Sequence, residues 1–439
     1  MADNKDADLD ARAERSPAIE PSKPRLLRVL GPGLITGASD DDPSGIATYS
    51  QVGAQYAYGV SWTLVFSYPL MSAIQMISAR LGRTTGRGIA GNLRKYYSNW
   101  LAYSGVFLLV VANVINIGAD IGAMGDAIKL IIGGPALVYV VMLGAGCAIA
   151  QVFLQYRQYV RLLKWLSLAL LSYVATVVIV KIDWVALLSG LFIPRIEFSA
   201  DYLTAVVAVF GTTISPYLFF WQASQEVEDL KEKPKREPLK DCPEQAKDAE
   251  ERIEWDTLVG MGVSNAIALS IMVTAAATLN THHITNIESS AQAAAALEPV
   301  AGKFAELLFV IGIVGTGLLA VPVLAGSAAY GVGEALRWPT GLARKPKDAK
   351  AFYGTIALAT MLGVGLNFAP INPIQALFWS AVVNGVVAVP IMVIMMLMSG
   401  NRQIMGDQTI GGWLFGLGWL STTVMALCAV GMGISIFLG

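Results

Sequence analysis

The stretch Gly31-Pro32-Gly33-Leu34-Ile35-Thr36-Gly37-Ala38-Ser39-Asp40-Asp41-Asp42-Pro43-Ser44-Gly45-Ile46-Ala47 places three consecutive carboxylates inside an otherwise apolar segment. One aspartate at the centre of a membrane-crossing helix costs about 2.5–3.5 kcal/mol on insertion scales, so three in a row demand a compensating structure. Pro43 removes a backbone donor and Gly45 loosens the chain, which predicts a break in the helix beside the acids. A broken helix with buried carboxylates is how a transporter builds a cation site near the bilayer midplane.

Of the 439 residues, 55% are hydrophobic and 14% charged, whereas soluble domains carry about 25% charged residues. The chain is therefore expected to be an all-α polytopic membrane protein. A net charge of −1 argues against a nucleic-acid partner. Cys147, Cys242 and Cys428 are far apart and form no CxxC motif, so no disulfide framework is expected. Residues 1–24 are charged and lack an apolar core, which reads as a disordered cytosolic tail.

Apolar stretches long enough to cross about 30 Å of hydrocarbon fall near 31–57, 60–79, 103–128, 135–155, 160–180, 203–224, 256–279, 303–333, 352–368, 373–398 and 412–437, eleven in all. With the amino terminus inside, the outer side keeps only Lys129, Lys181, Arg195 and Lys303, and every other lysine and arginine falls inside. The positive-inside rule thus predicts eleven spans with the carboxyl terminus outside. The charged segment 226–256 reads as a solvated cytosolic connector, and His282-His283 as an exposed loop pair.

The sixth span repeats the first motif. Gly211-Thr212-Thr213-Ile214-Ser215-Pro216-Tyr217 carries small and hydroxyl residues followed by a proline in mid-span. The first broken span opens one set of five crossings and this one opens the next, so the second set is inserted upside down. That is the inverted repeat of transporters whose two discontinuous helices meet at a central site. The expected organisation is a first repeat over 25–181, an outer loop over 182–202, a second repeat over 203–398 and an added helix in 399–439. At the breaks, Asp42 can offer carboxylate oxygens, Ser44 and Ser215 hydroxyls, and the backbone near Ser39 and Thr212 carbonyls. An all-oxygen set suits hard cations such as Mg²⁺, Ca²⁺ or Mn²⁺.

Gly31-Pro32-Gly33, Asp42-Pro43-Ser44-Gly45-Ile46-Ala47-Thr48, Ser78-Ala79-Arg80-Leu81-Gly82, Thr85-Gly86 and the span-six motif together resemble the Nramp divalent-metal transporters. The resemblance implies a LeuT-like fold with broken helices 1 and 6, and transport of a divalent cation without a cofactor. It carries the family's metal-binding aspartate onto Asp42. Its asparagine falls at Gly45, its metal-binding methionine at Ser215, its histidine at Tyr217, and its span-ten glutamine at Ala381 with Asn384 one turn away. Of the family's proton-transfer residues, Asp120 matches one acid, Ala123 replaces the glutamate, and the arginine is missing from 352–368. This pattern is similar to the Nramp-related magnesium transporters, in which the methionine is also absent and proton coupling is lost.

The candidate metal set is therefore Asp42, Asp41, Ser39, Gly45, Thr212, Ser215 and Asn384, with Asp120 and Tyr217 as relay or gating residues. On a helix, Asp41 and Asp40 point about 100° and 200° away from Asp42, so the three cannot all meet one ion. Asn113, Asn116 and Asn265 are read as packing and hydrogen-bonding residues. The expected function is alternating-access transport of Mg²⁺ or Mn²⁺ across a bacterial inner membrane, with weak or absent proton coupling. The expected partners are the cation and the lipid bilayer, with no obligate protein partner evident. The alternative is a Na⁺- or H⁺-coupled transporter of an organic solute. A membrane enzyme is disfavoured because HExxH, GxSxG and an intramembrane histidine are all missing.

Overall fold

The computed structural model describes Gly37 and residues 40–153, 167–232 and 236–438. The expected tail, Ser39 and the start of the fifth expected span lie outside the described residues. Helices α1 (Pro43–Tyr56), α2 (Trp62–Thr85), α3 (Ile89–Tyr96), α4 (Asn99–Ile132) and α5 (Ala136–Phe153) come first. They are followed by α6 (Leu171–Ile179), α7 (Trp184–Phe192), α8 (Ala200–Thr213), α9 (Pro216–Glu232) and α10 (Ala246–Thr278). The short α11 (Ser290–Ala295) and α12 (Glu298–Ala301) lead into α13 (Ala305–Leu336), α14 (Lys350–Leu366), α15 (Pro373–Ser399), α16 (Arg402–Met405) and α17 (Gly412–Leu438).

Seven helices among the described residues are long and apolar enough to cross a membrane. They comprise α4, α5, the α8–α9 pair, α10, α13, α15 and α17. Four of the eleven expected spans fall outside this group. Those at 31–57 and 160–180 run into residues not described, and α14 is only 17 residues long. The remaining one, α2, has the length but is polar within, burying Ser67, Ser72, Gln75, Ser78, Arg83 and Thr84. Such a helix belongs inside a bundle, because lipid offers its polar groups no partner.

Burial sorts the helices into core and perimeter. The apolar window of α8–α9 is 100% buried, while those of α5 and α17 are 17% and 22% buried. Phe107, Phe153, Val178, Leu427 and Phe437 present an apolar outer surface of the kind that faces acyl chains. In the core, backbones come unusually close. A Cβ on Gly53 of α1 would stand 2.2 Å from the Met272 carbonyl oxygen of α10, and one on Gly211 of α8 would stand 2.0 Å from that of Ala381 in α15. Small residues at helix crossings permit this approach.

The described residues of segment 226–256, expected to be a solvated connector, include helical turns at both ends. They supply the end of α9 and the start of α10, and several of their charges find partners. Arg252 pairs with the fully buried Glu226, Arg80 of α2 pairs with Glu250, and Arg83 donates to Glu237 O at 2.5 Å and Gln245 Oε1 at 2.7 Å. The expected outer loop 182–202 likewise contains a helix, α7, capped by Asp183.

Gly53→Ala should lower thermal stability by about 1–3 kcal/mol, because the added methyl overpacks against a backbone carbonyl that cannot rotate away. Gly146→Ala in α5, where a Cβ meets nothing within 4 Å, should leave the melting temperature unchanged or slightly raised. Melting curves of the two purified variants in one detergent check the contrast; equal curves would refute the close crossing.

Candidate metal site

The first break forms as the proline predicts. Asp42 is extended (φ −72°, ψ 171°) and caps α1, with Pro43 in the first turn, where its missing N–H costs no hydrogen bond. One carboxylate oxygen, Oδ1, accepts from Gly45 N at 2.8 Å and from Ser44 Oγ at 2.6 Å. The other oxygen, Oδ2, points into the bundle. There it meets Asn116 Nδ2 of α4 at 3.1 Å and Tyr217 Oη of α9 at 3.3 Å. Asp42 is 2% exposed. One oxygen thus holds the helix end and the other is offered to a site.

The second break lies between Thr213 and Pro216, with Ile214 at φ −121°, ψ 59°. The Ser215 hydroxyl folds back onto Gly211 O at 2.6 Å and Thr212 O at 2.8 Å. It satisfies carbonyls that lose their helical donors where α8 ends. Thr212 Oγ1 lies 2.8 Å from both Val209 O and Tyr49 Oη. Both hydroxyls are therefore engaged within the break, and the carbonyl oxygen of Thr212 keeps a second lone pair.

Asp40 and Asp41 share a hydrogen-bond partner that Asp42 does not. Ser264 Oγ of α10 lies 2.6 Å from Asp40 Oδ2 and 3.2 Å from Asp41 Oδ1, so Asp40 and Asp41 both meet α10. Asp120 is fully buried on α4 and faces the Ser44 backbone amide without closing a hydrogen bond. Gly45 has no side chain to offer, and its amide is spent on Asp42. Asn384 is 1% exposed on α15 with neither end of its amide hydrogen-bonded among the described residues. No lysine, arginine or histidine pairs with Asp40, Asp41, Asp42 or Asp120 among the described residues.

Of the residues expected from sequence, the structure brings Tyr217 onto Asp42. Thr212 and Ser215 lie in the opposing break, Asp41 sits with Ser264, and no hydrogen bond among the described residues joins Asn384 to Asp42. Asn113 and Asn265 do hold helices together, through Leu324 O (2.9 Å) and Ser327 Oγ (2.7 Å) for the first and Leu64 O (3.0 Å) for the second. Asn116 does not fit that expectation, since it contacts the site aspartate. The signal was its spacing: Asn116 and Asp120 are four apart and share one face of α4.

The profile described as "Natural resistance-associated macrophage protein-like" matches residues 33–435. The chain belongs to the Nramp family. Among its relatives is the divalent metal cation transporter MntH of Klebsiella pneumoniae subsp. pneumoniae, 25% identical over 425 residues, covering 94% of this chain and 95% of the relative. Among solved structures, the Eremococcus coleocola manganese transporter in complex with an aromatic bis-isothiourea substituted compound superposes with a TM-score of 0.72 at 17% identity. That match covers 94% of this chain and 88% of the transporter. Mhp1, a nucleobase-cation-symport-1 family transporter in a closed conformation with bromovinylhydantoin bound, gives a TM-score of 0.57 at 13% identity and 93% coverage of both chains. This Nramp chain therefore has the all-helical LeuT-like fold expected from its two breaks.

Ser264→Ala removes the one hydroxyl shared by Asp40 and Asp41 and should cost about 1–3 kcal/mol through unsatisfied buried oxygens. Divalent-cation affinity should stay near the wild-type value, because Asp42 is untouched. Thermal melting and calorimetric titration of the same sample test both halves; a large loss of affinity would place Ser264 in the ion site.

Proposed function

We propose that this Nramp protein transports a divalent cation, Mg²⁺ or Mn²⁺, by alternating access around Asp42. The observation that carries the reading is a buried carboxylate oxygen, Asp42 Oδ2, that faces the bundle between two helix breaks with no cationic side chain beside it. An unpaired buried carboxylate is costly, and an entering cation supplies the missing charge. Among the described residues, no three His, Cys, Asp or Glu side chains gather into a metal trap. Neutral oxygens would complete the shell: the backbone near Ser39 and Thr212, the Ser215 region and the unpartnered amide of Asn384. A site with one carboxylate and neutral oxygens suits Mg²⁺ and Mn²⁺, and Mg²⁺ in particular keeps part of its water.

The relatives' names support the divalent-cation reading. Fold similarity alone would not separate it from organic-solute transport, since Mhp1 shares the architecture; the buried unpaired carboxylate favours the cation, because it repels a substrate carboxylate. We further propose 25–181 and 203–398 as the two repeats, with the amino terminus cytosolic and the carboxyl terminus outside. Weak or absent proton coupling follows from the buried Ala123 beside Asp120 and from α14, whose only basic residue is Lys350 at its first position.

In proteoliposomes, Mn²⁺ uptake should fall severalfold when excess Mg²⁺ or Ca²⁺ is added outside, because no sulfur ligand discriminates against them. Asp42→Ala should abolish uptake while the protein still elutes as a folded species. Uptake insensitive to Mg²⁺ and Ca²⁺, or retained in Asp42→Ala, would remove the site. A pH-sensitive dye trapped inside the vesicles should show no metal-driven acidification; sustained acidification would count against uncoupled transport.

A further inference from the structure

We propose that Asn116 is a direct ligand of the transported cation and that its carboxamide turns over when the cation binds. The inference rests on the Asp42-centred reading above. It starts from the count of protons. Asn116 Nδ2 lies 3.1 Å from Asp42 Oδ2, and Asn116 Oδ1 lies 2.8 Å from Ser380 Oγ of α15. The same Ser380 hydroxyl lies 2.7 Å from Leu377 O. A hydroxyl has one proton to donate and can also accept, so Ser380 faces two acceptors and satisfies one of them at a time.

Two arrangements are self-consistent. In the first, Ser380 donates to Asn116 Oδ1 and Asn116 donates to Asp42 Oδ2. In the second, the amide is rotated by a half-turn: Asn116 Nδ2 donates to Ser380 Oγ, Ser380 donates to Leu377 O, and Asn116 Oδ1 faces Asp42 Oδ2. The two orientations have nearly the same shape, so the exchange needs no repacking of this fully buried side chain. With nothing between them, the second arrangement sets two acceptor oxygens against each other. With a cation between them, it is the arrangement that puts two oxygens on the ion.

The spacing fits. In an octahedral shell with metal–oxygen distances of about 2.0–2.1 Å, neighbouring ligand oxygens stand about 3 Å apart, whereas the longer bonds to Ca²⁺ spread them by several tenths of an ångström. The 3.1 Å between the Asn116 and Asp42 atoms already matches one edge of the smaller octahedron. Ser380 is then a positioning residue: it accepts the displaced N–H and ties ion binding on α1 and α4 to α15.

The test uses the full-length protein in detergent, loaded with Mn²⁺ and grown with asparagine labelled with ¹³C at the side-chain carboxamide. Electron–nuclear double resonance should show a Mn–¹³C coupling from a directly bound amide in the wild type and in Asn384→Ala, and adding Asn116→Asp, which keeps the shape at 116, to Asn384→Ala should abolish it. In calorimetric titrations Asn116→Ala should weaken Mn²⁺ and Mg²⁺ binding by roughly tenfold or more, the scale on which metal sites respond to loss of a supporting group. Asn116→Asp should bind at least as tightly as wild type. Ser380→Ala should weaken binding to a smaller extent, with Ser380→Thr restoring it. No ¹³C coupling in Asn384→Ala, a coupling that survives Asn116→Asp in the Asn384→Ala background, or wild-type affinity in Asn116→Ala would overturn the assignment. If Asp42→Ala loses binding while Asn116→Ala retains it, only this assignment fails; if Asp42→Ala binds normally, the Asp42 site fails with it.

Discussion

A carboxylate held deep in the bundle without a cation beside it is the constraint around which the surrounding structure is arranged. Ionised, the Asp42 side chain would cost far more to bury than any single packing contact returns. The chain meets this by dividing the group. Oδ1 is stabilised by the amino-terminal end of α1, where the Gly45 amide, the Ser44 hydroxyl and the helix dipole all favour negative charge. Oδ2 receives neutral donors only, an amide and a phenol at 3.1 and 3.3 Å. The first set fixes the group in place, and the second leaves it short of the charge that a passing ion brings.

That half-satisfied state is stable only where water cannot compete, and polar contacts tie the described segments together towards both ends of the bundle. At one end, Asn280 donates to Ala54 O, Gln51 brackets Thr285 O and Ile287 N, and Ser290 donates to Asp126. At the other, the buried Glu226–Arg252 pair joins α9 to α10, and Arg83 of α2 holds the segment between them. The two sets of contacts differ in kind. Neutral hydrogen bonds on loop segments are each worth about 1 kcal/mol net. Separating a buried ion pair leaves uncompensated charge and costs several kcal/mol unless water enters as it parts. Opening the ion-paired end is therefore coupled to wetting it.

Much of this was legible in the sequence, and the missing parts share a cause. The break at Pro43 and its partner at Pro216 follow from local chemistry, and with them the fold. The direction each acid takes does not: Asp40 and Asp41 meet Ser264, a residue more than two hundred positions away. Segment 226–256 looked solvated because its charges have few local partners, yet Glu226 and Glu250 pair with Arg252 and Arg80 once the helices assemble. Ser215 was read as a free hydroxyl, whereas the carbonyls exposed by the break claim it first. Asn116 was assigned to packing because each intramembrane amide was weighed alone; its register with Asp120 carried the information.

These corrections bear on how such a site selects its ion. A soft ligand chooses through bond character, but the groups that meet Asp42 Oδ2 are a neutral amide and a phenol. Selection must then come from spacing and from how far the neutral groups can turn. Asn116 is held at one end by Ser380 and is free to exchange its two ends at the other, so the position of its vertex is fixed by α4 and α15 while its chemistry is not. A larger cation such as Ca²⁺ can still compete by spreading that vertex at some cost in affinity, whereas Mg²⁺ or Mn²⁺ enters without moving either helix.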